Sequence, residues 1–459
     1  MNLTKARWIK VGIVTLVFLL IYLSGVFYFQ GRFLPGTKVG GTSIAGMTLE
    51  QAPQHLSQRI QSATIDIYEN EQILGQLALA NVTSQSDFGQ EIQEIAANQS
   101  AWAWPLRLLG AGKVNAALSD QALVFDKDQL IANLNNLGVT NSNRTPSTDA
   151  YIKDDGTGFT LVSETQGNQI DLEMLEEFLR VGLSGENLHI DLNQLYKSAD
   201  TKMDDPALNE DLAYLNKIIS NTITLTFDGR EVTIPKDKLY QWVIYTDGLV
   251  QIDRQGIEDY IRELNQTYAG LFLGRNFEST YYGTVWVEPG TYGWYIDRIA
   301  ETDLLAQEIL AGDPVNRPAT IGGSGYGMGD SVGASYVEVS ITAQMMWIYH
   351  DGQLVLETPV VTGLPGTNTI PGAYQVWNME SPSVLVGYNP HTNINYQQPV
   401  DYWIAFDDQA QGIHDANWQP YFGGDAYLTS GSLGCINTPP GIMPQVFALV
   451  YHGMPVIIY

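Results

Sequence analysis

The chain is nearly without cysteine, short of bases, and has no Lys or Arg in its last 142 residues. One residue of 459 is a cysteine, Cys435, so no intramolecular disulfide framework and no CxxC or multi-cysteine metal site is available. Lys and Arg number 23 against 50 Asp and Glu, giving a net charge of −27. That excludes nucleic acid as a partner, because phosphate binding needs Lys and Arg gathered in patches. Nothing basic but His follows Arg317, so the C-terminal part must do its chemistry without a fixed cation. Apolar residues, at 44%, and aromatics, at 11%, are plentiful and argue against disorder. At roughly 100–200 residues per domain, the length predicts two to four domains.

The N-terminus inverts the charge pattern. Residues 1–32 hold Lys5, Arg7, Lys10 and Arg32 and no acid. Residues 11–29 (VGIVTLVFLLIYLSGVFYF) carry no charge and would span about 28 Å as a helix, close to the ~30 Å hydrocarbon core of a bilayer. Trp8, Tyr28 and Phe33 suit the two interfaces, and the flanking bases place residues 1–10 in the cytoplasm. A cleaved signal peptide would carry a shorter apolar core and a small-residue site, and FYFQGRFLPG offers none. The expectation is an uncleaved signal anchor over 11–30 with residues 33–459 outside the cell.

A pattern recurs at an offset of 126. Thr165-Gln-Gly-Asn-Gln-Ile-Asp171 reappears as Thr291-Tyr-Gly-Trp-Tyr-Ile-Asp297. Each copy follows a strand-like run, Phe159-Thr-Leu-Val and Val285-Trp-Val, and precedes a helical pattern closed by Gly185 or Gly312. Upstream, Leu123-Val124 and Leu249-Val250 each lead into another helical pattern. The period is too long for a solenoid and predicts two copies of one α+β domain, at 45–200 and 208–321. Residues 322–335 hold six glycines in fourteen and read as a flexible linker.

From Tyr336 onward the text changes to short β-rich runs broken by Gly, Pro and Asn: YVEVSI, AYQVWN, YWIAF, MPVIIY. His350-Asp351-Gly352 between two such runs predicts a hairpin turn. Only 444–450 reads as helix. A small, mostly β C-terminal domain over 336–459 is expected.

Cys435 lies in Ser432-Leu-Gly-Cys-Ile-Asn437, with His414 in Gly412-Ile-His-Asp415, 21 residues earlier. An unperturbed thiol has a pKa of about 8.5, and a neighbouring imidazole can take its proton and return it to a leaving amine. Gly434 lets the backbone turn its N–H groups toward a developing oxyanion. By themselves one Cys and one His are weak signals, since a lone Cys is more often a small buried hydrophobe. The histidines have no Cys or His partner at ligand spacing, so no metal site and no cofactor is expected.

The order of motifs resembles the L,D-transpeptidase catalytic domain of the YkuD type. The resemblance rests on the strand 336–344, the hairpin 348–356, Pro359-Val-Val-Thr-Gly363, Thr369-Ile-Pro-Gly-Ala-Tyr374, then His414 and Ser432-Leu-Gly-Cys-Ile-Asn437. The duplicated region resembles, more loosely, the peptidoglycan-binding domains that precede this domain in Gram-positive enzymes. The resemblance implies a cysteine L,D-transpeptidase of the cell wall. Cys435 would be the nucleophile and His414 the base, then the acid. Backbone N–H groups of Leu433, Gly434 and Cys435 would form the oxyanion hole. The partners would be a donor and an acceptor peptidoglycan stem peptide, joined 3→3 with release of D-alanine, and carbapenems would acylate the cysteine. Without bases, the donor's carboxylate would fall to neutral groups: Asn437, Trp418 and Tyr427. Asp415 either orients His414 or is a surface acid, and Ser432 either supports the site or starts a turn.

One departure stands out: the family usually has His where this chain has Leu433. That keeps open a noncatalytic wall-binding scaffold, although retention of both Cys435 and His414 argues against it. An L,D-carboxypeptidase would use the same site with water as acceptor. A sortase needs an Arg soon after its cysteine, and a papain-like protease has its Cys before its His, so neither fits.

Overall fold

The computed structural model describes residues 3–119, 121–182, 189–246 and 248–459. The chain divides into two compact units, 1–152 with 161–208, and 153–160 with 209–459. It is multidomain, and its C-terminal part is mostly β.

A single helix, Leu3–Phe29, opens the chain, and its Arg7–Phe29 part is long and apolar enough for a membrane span or a signal segment. Two of its hydroxyls are satisfied within the helix, Thr15 Oγ1 donating to Val11 O and Ser24 Oγ to Leu20 O. Tyr28 stays exposed under the Arg32 guanidinium. Phe33 does not sit at an interface: its N–H binds Met47 O and its ring is buried in the core of the first unit.

Two regions, one per unit, repeat the same local construction. In the first, the strand Thr64–Glu69 pairs antiparallel with Gln72–Ala78 and parallel with His189–Asp191. In the second, Ile223–Phe227 pairs antiparallel with Arg230–Thr233 and parallel with Val315–Pro318. The strands Leu123–Phe125 and Leu249–Ile252 lead into helices N-capped by Asp126 and Asp253, whose carboxylates accept from Gln129 N and Gly256 N. Asp171 and Asp297, the last residues of the recurring motif, likewise accept amides of the helices Leu172–Gly182 and Arg298–Ala311. Gly312 caps the second helix in the left-handed conformation, φ +66°. Gly185, expected to cap the first, lies outside the described residues.

The glycine-rich segment is tied down at several points. Ile321–Gly323 is a strand against Trp294–Ile296, Val332 is buried in a small core with Phe277 and Ile457, and Ser335 Oγ accepts from Asp351 N. Glycine frequency alone predicted a flexible linker, but pairing and burial hold the segment in the second unit.

The C-terminal domain builds two sheets around one core. The first has the order 353–359, 345–350, 336–340, 455–458, 372–375. Its hairpin turns at Asp351 and Gly352, both at positive φ, as the Asp-Gly pair predicts. The second has the order 378–380, 403–405, 412–415, 436–438. Val337, Ile348, Ile404, Ile413, Ile436 and Val456 fill the space between them. Two short helices appear, Ala426–Ser430 and Met443–Leu449; the first carries no strong sequence signal. A long hairpin, Ser383–Asn389 with Ile394–Val400, pairs on itself alone and leaves Val384, Val386, Tyr388 and Ile394 exposed.

Candidate active site

The second sheet explains how residues 21 apart in sequence become neighbours. Gly412–Asp415 and Ile436–Thr438 run parallel, with His414 opposite Asn437 and Cys435 at the entry to the second strand. His414, Cys435, Trp418, Asn437, Ser432 and Leu433 line one cleft of about 420 Å³. None of the cleft's lining residues is Asp, Glu, Lys or Arg.

His414 is 2% exposed, between Trp403 at 6.0 Å and Trp418 at 5.7 Å. Its Nδ1 lies 2.9 Å from Asp415 O. A carbonyl only accepts, so Nδ1 carries the proton and Nε2 keeps its lone pair. Burial lowers the imidazole's pKa. The Asp415 carboxylate does not bond the ring: it accepts from Tyr402 N at 2.8 Å, and its charge partly offsets the effect of burial on the imidazole, while the Asp415 carbonyl holds Nδ1. It is also buried, which removes the surface-acid alternative.

Burial pushes the Cys435 thiol up to about 11, opposed by the Gly412 N–H and assisted by the charge of Asp407. The resting state is therefore a thiol, donating to Ala410 O at 3.9 Å, in the same cleft as a neutral imidazole. Gly434 sits at φ +114°, a backbone conformation that side-chain-bearing L residues rarely adopt. Thr369 Oγ1 donates to Gly434 O at 2.8 Å and accepts from Gly363 N, tying the Thr-x-Pro-Gly segment to the Cys435 loop. With that carbonyl pinned, the N–H of the same peptide, Cys435 N–H, faces the opposite way. Ser432 does more than start a turn: its Oγ donates to Cys435 O and accepts from Gly434 N. That bond takes the Gly434 amide, expected in the oxyanion hole, out of service in this state.

Of the three groups expected at the donor carboxylate, Trp418 and Asn437 line the cleft. Asn437 donates through Nδ2 to Gln419 Oε1, while its buried Oδ1 has no hydrogen-bond partner among the described residues. Tyr427 sits on the helix Ala426–Ser430 and is not among the lining residues. Sequence reasoning missed the hairpin's share of the cleft: Leu385, Asn389, His391, Tyr396 and Gln398. The alternation of 383–400 was a usable signal. His391 Nε2 is 3.2 Å from Thr367 Oγ1, and burial raises the pKa of the Tyr396 hydroxyl. Asp407 was likewise unseen; its Oδ1 accepts from Gln409 N and Gln411 N. No group of three or more His, Cys, Asp or Glu able to hold a metal occurs among the described residues.

The family model of the YkuD L,D-transpeptidase catalytic domain matches residues 334–458. No curated protein sequence matches the chain. Among solved structures, an Enterococcus faecium L,D-transpeptidase carrying a Cys-to-Ser mutation is 38% identical; the match covers 55% of this chain and 100% of that one, with a TM-score of 0.42. The catalytic domain of the E. faecium L,D-transpeptidase acylated by ertapenem is 45% identical over 28% of this chain and 98% of that one, with a TM-score of 0.26. L,D-transpeptidase 3 from Mycobacterium tuberculosis is 22% identical over 28% of this chain and 61% of that one, with a TM-score of 0.25. The chain belongs to the L,D-transpeptidases of the YkuD type, with residues 334–458 as its catalytic domain.

Proposed function

We propose that this L,D-transpeptidase forms 3→3 crosslinks in peptidoglycan through an acyl-enzyme on Cys435. The observation that carries the reading is the shared cleft of Cys435 and a buried, neutral His414 whose Nδ1 is held by a carbonyl. His414 Nε2 takes the thiol proton as Sγ attacks the carbonyl carbon between the third stem residue and the terminal D-alanine. The oxyanion faces backbone N–H groups of Leu433 and Cys435. Collapse breaks the C–N bond, His414 returns the proton to the departing amine, and a thioester remains. The side-chain amine of an acceptor stem then attacks the thioester and frees the thiol. Asn437 and Trp418 flank the donor. Carbapenems, being acyl donors, would load the same sulfur; the E. faecium catalytic domain is acylated by ertapenem.

In this reading Arg7–Phe29 anchors the protein in the membrane, with the bases before it in the cytoplasm and residues 33–459 at the wall. Regions 45–200 and 208–321 are two copies of one α+β domain of the peptidoglycan-binding kind. An identical side-chain clamp supports this. Asn141 brackets Ile170, accepting from its N–H and donating to its C=O at 2.8 and 2.9 Å, and Asn265 does the same to Ile296 at 2.7 and 2.9 Å.

The test is the full chain in detergent beside Cys435→Ala, each incubated with disaccharide-tetrapeptide and read by mass spectrometry. A dimer lighter by one D-alanine, absent from the variant, is expected. Loss of D-alanine without dimer would replace transpeptidation by carboxypeptidation. No change would sink catalysis and make Leu433 the first residue to revert to His.

A further inference from the structure

We infer that residues 101–109 form a second membrane contact, seated in the outer leaflet beside the N-terminal helix. The inference rests on the reading that this helix crosses the bilayer.

The segment Ala101-Trp-Ala-Trp-Pro-Leu-Arg-Leu-Leu109 is a helical turn followed by the short helix Trp104–Leu108. It lies along one face of Leu3–Phe29. Tyr22 Oη donates to Trp102 O, and Trp104 Nε1 donates to Tyr22 O, both at 3.1 Å. The Trp104 ring stacks on Phe29 at 6.2 Å and covers Gly25 so closely that a Cβ there would lie 2.2 Å from Cε2. The contacted positions 22, 25 and 29 follow helical spacing, as expected of one continuous face. Tyr22 stands seven residues before the helix's outer end, about 10 Å along the axis. If the helix spans, Trp102 and Trp104 are drawn to that depth, which is where interfacial helices and aromatic belts reside.

The rest of the segment is built for the same medium. Trp102 is 58% exposed and Leu109 85%, with Leu106 and Leu108 also exposed. The backbone closes on itself: Leu109, Gly110 and Ala111 N–H groups reach Pro105, Arg107 and Leu106 carbonyls, and Pro105 has no N–H to satisfy. In a chain with 50 acids, none occurs between Glu94 and Asp120, while Arg107 and Lys113 do. Arg107 has a buried nitrogen, Nη1, without a hydrogen-bond partner among the described residues. Apolar side chains with Arg107 and Lys113 nearby match an anionic phospholipid surface, while Glu91 and Glu94 share a cleft with Arg107. The occupant is the bilayer into which the helix itself leads. A second protein at this face would have to share it with lipid.

The test uses the full chain with Cys435→Ser, so that an added cysteine is the only thiol. A polarity-sensitive fluorophore is attached at Leu109→Cys, at Leu108→Cys as a second probe, and at Leu19→Cys within the helix. The protein is reconstituted in phosphatidylcholine–phosphatidylglycerol vesicles. Spin-labelled lipid should remove most of the emission at all three positions, and aqueous iodide should leave it nearly unchanged. Lipid quenching at 19 with iodide quenching at 108 and 109 would overturn the inference and leave the span standing. Absence of lipid quenching at 19 would overturn the span itself and the inference with it.

Discussion

The two copies of the recurring motif differ in what they face, and the difference shows how one backbone serves two ends. Thr165–Asp171 and Thr291–Asp297 keep the Asn clamp, the Asp helix cap and a glycine that cannot be replaced. A Cβ on Gly167 would lie 2.3 Å from Thr145 O, and one on Gly293 2.2 Å from Leu271 N. Between these fixed points the first copy places Gln166, Asn168 and Gln169, and the second Tyr292, Trp294 and Tyr295. Gln166 and Asn168 are exposed, whereas Tyr292 and Trp294 are buried. Tyr292 N donates to Ala373 O and Thr291 Oγ1 to Phe406 O, both in the catalytic domain. The second copy has become a wall against which residues of the transpeptidase core rest; Ala373 and Ile457 share its small cluster with Phe277 and Tyr292. Glu338, a fully buried acid on the first catalytic strand, completes the seam by accepting from Thr280 N, Thr280 Oγ1 and Tyr459 Oη.

The largest test of this contrast is truncation at matched positions. Tyr292→Ala removes a buried ring stacked under Arg275 and should cost about 3 kcal/mol or more. Gln166→Ala, at the equivalent exposed site, should stay within about 1 kcal/mol. Denaturant midpoints measure both, and hydrogen exchange at Ala373, whose N–H reaches Glu288 O, should quicken only in the first variant. Equal losses in the two variants would end the comparison.

How much of this was legible follows from which interactions leave a trace in residue order. The helix caps and hairpin turn are local, so Asp171, Asp297 and Asp351-Gly352 announce them. That Cys435 and His414 share one cleft was legible because each sits in a short motif on, or at the entry to, one of two adjacent parallel strands. The Asn clamps left no such trace, because each joins residues about thirty apart and their offset, 124 between the asparagines, differs from the motif's 126. The seam was hidden for a related reason: Gly-rich text predicts slack, and only tertiary contacts show that Val332 and Tyr326 anchor it. Asp415 stayed open between orienting His414 and lying on the surface, because residue order does not show burial or which of its oxygens faces the ring; the fold buries it and offers its carbonyl.

The clamps sharpen the comparison at a smaller scale. Asn265 is 6% exposed and serves a buried peptide; Asn141 is less enclosed. Replacing either by Ala leaves an N–H and a C=O unpaired, which costs about 1–3 kcal/mol where water cannot enter. Asn265→Ala should therefore destabilise the second unit more than Asn141→Ala destabilises the first. Unfolding midpoints in the reverse order would mean that solvent reaches both clamps alike.

The smallest expected effect is a separation in pH. In the first copy Arg144 holds Glu69 below the usual carboxylate range through paired bonds of 2.6 and 2.9 Å, with help from Tyr196. A depressed carboxyl stabilises the fold above its unfolded value of 4.5, and that contribution is lost as pH falls through the folded value. In the catalytic domain burial depresses His414, so the unfolded chain binds a proton the folded one refuses. Its contribution is complete above 6.5 and shrinks as pH drops below it. Asp407 runs the other way: burial raises its carboxyl, so its contribution is complete below 3.8 and is lost as pH rises through the folded value. The useful quantity is therefore a difference between variants. Between pH 7.5 and 5.5 the second unit should lose stability with a slope of at most ~1.4 kcal/mol per pH unit from this site, and His414→Asn should flatten it. The first unit should hold until below 4.5, and Arg144→Met should remove its later decline while lowering its stability at neutral pH. If His414→Asn leaves the slope between 7.5 and 5.5 unchanged, the imidazole is not the buried neutral base on which the proposed chemistry depends.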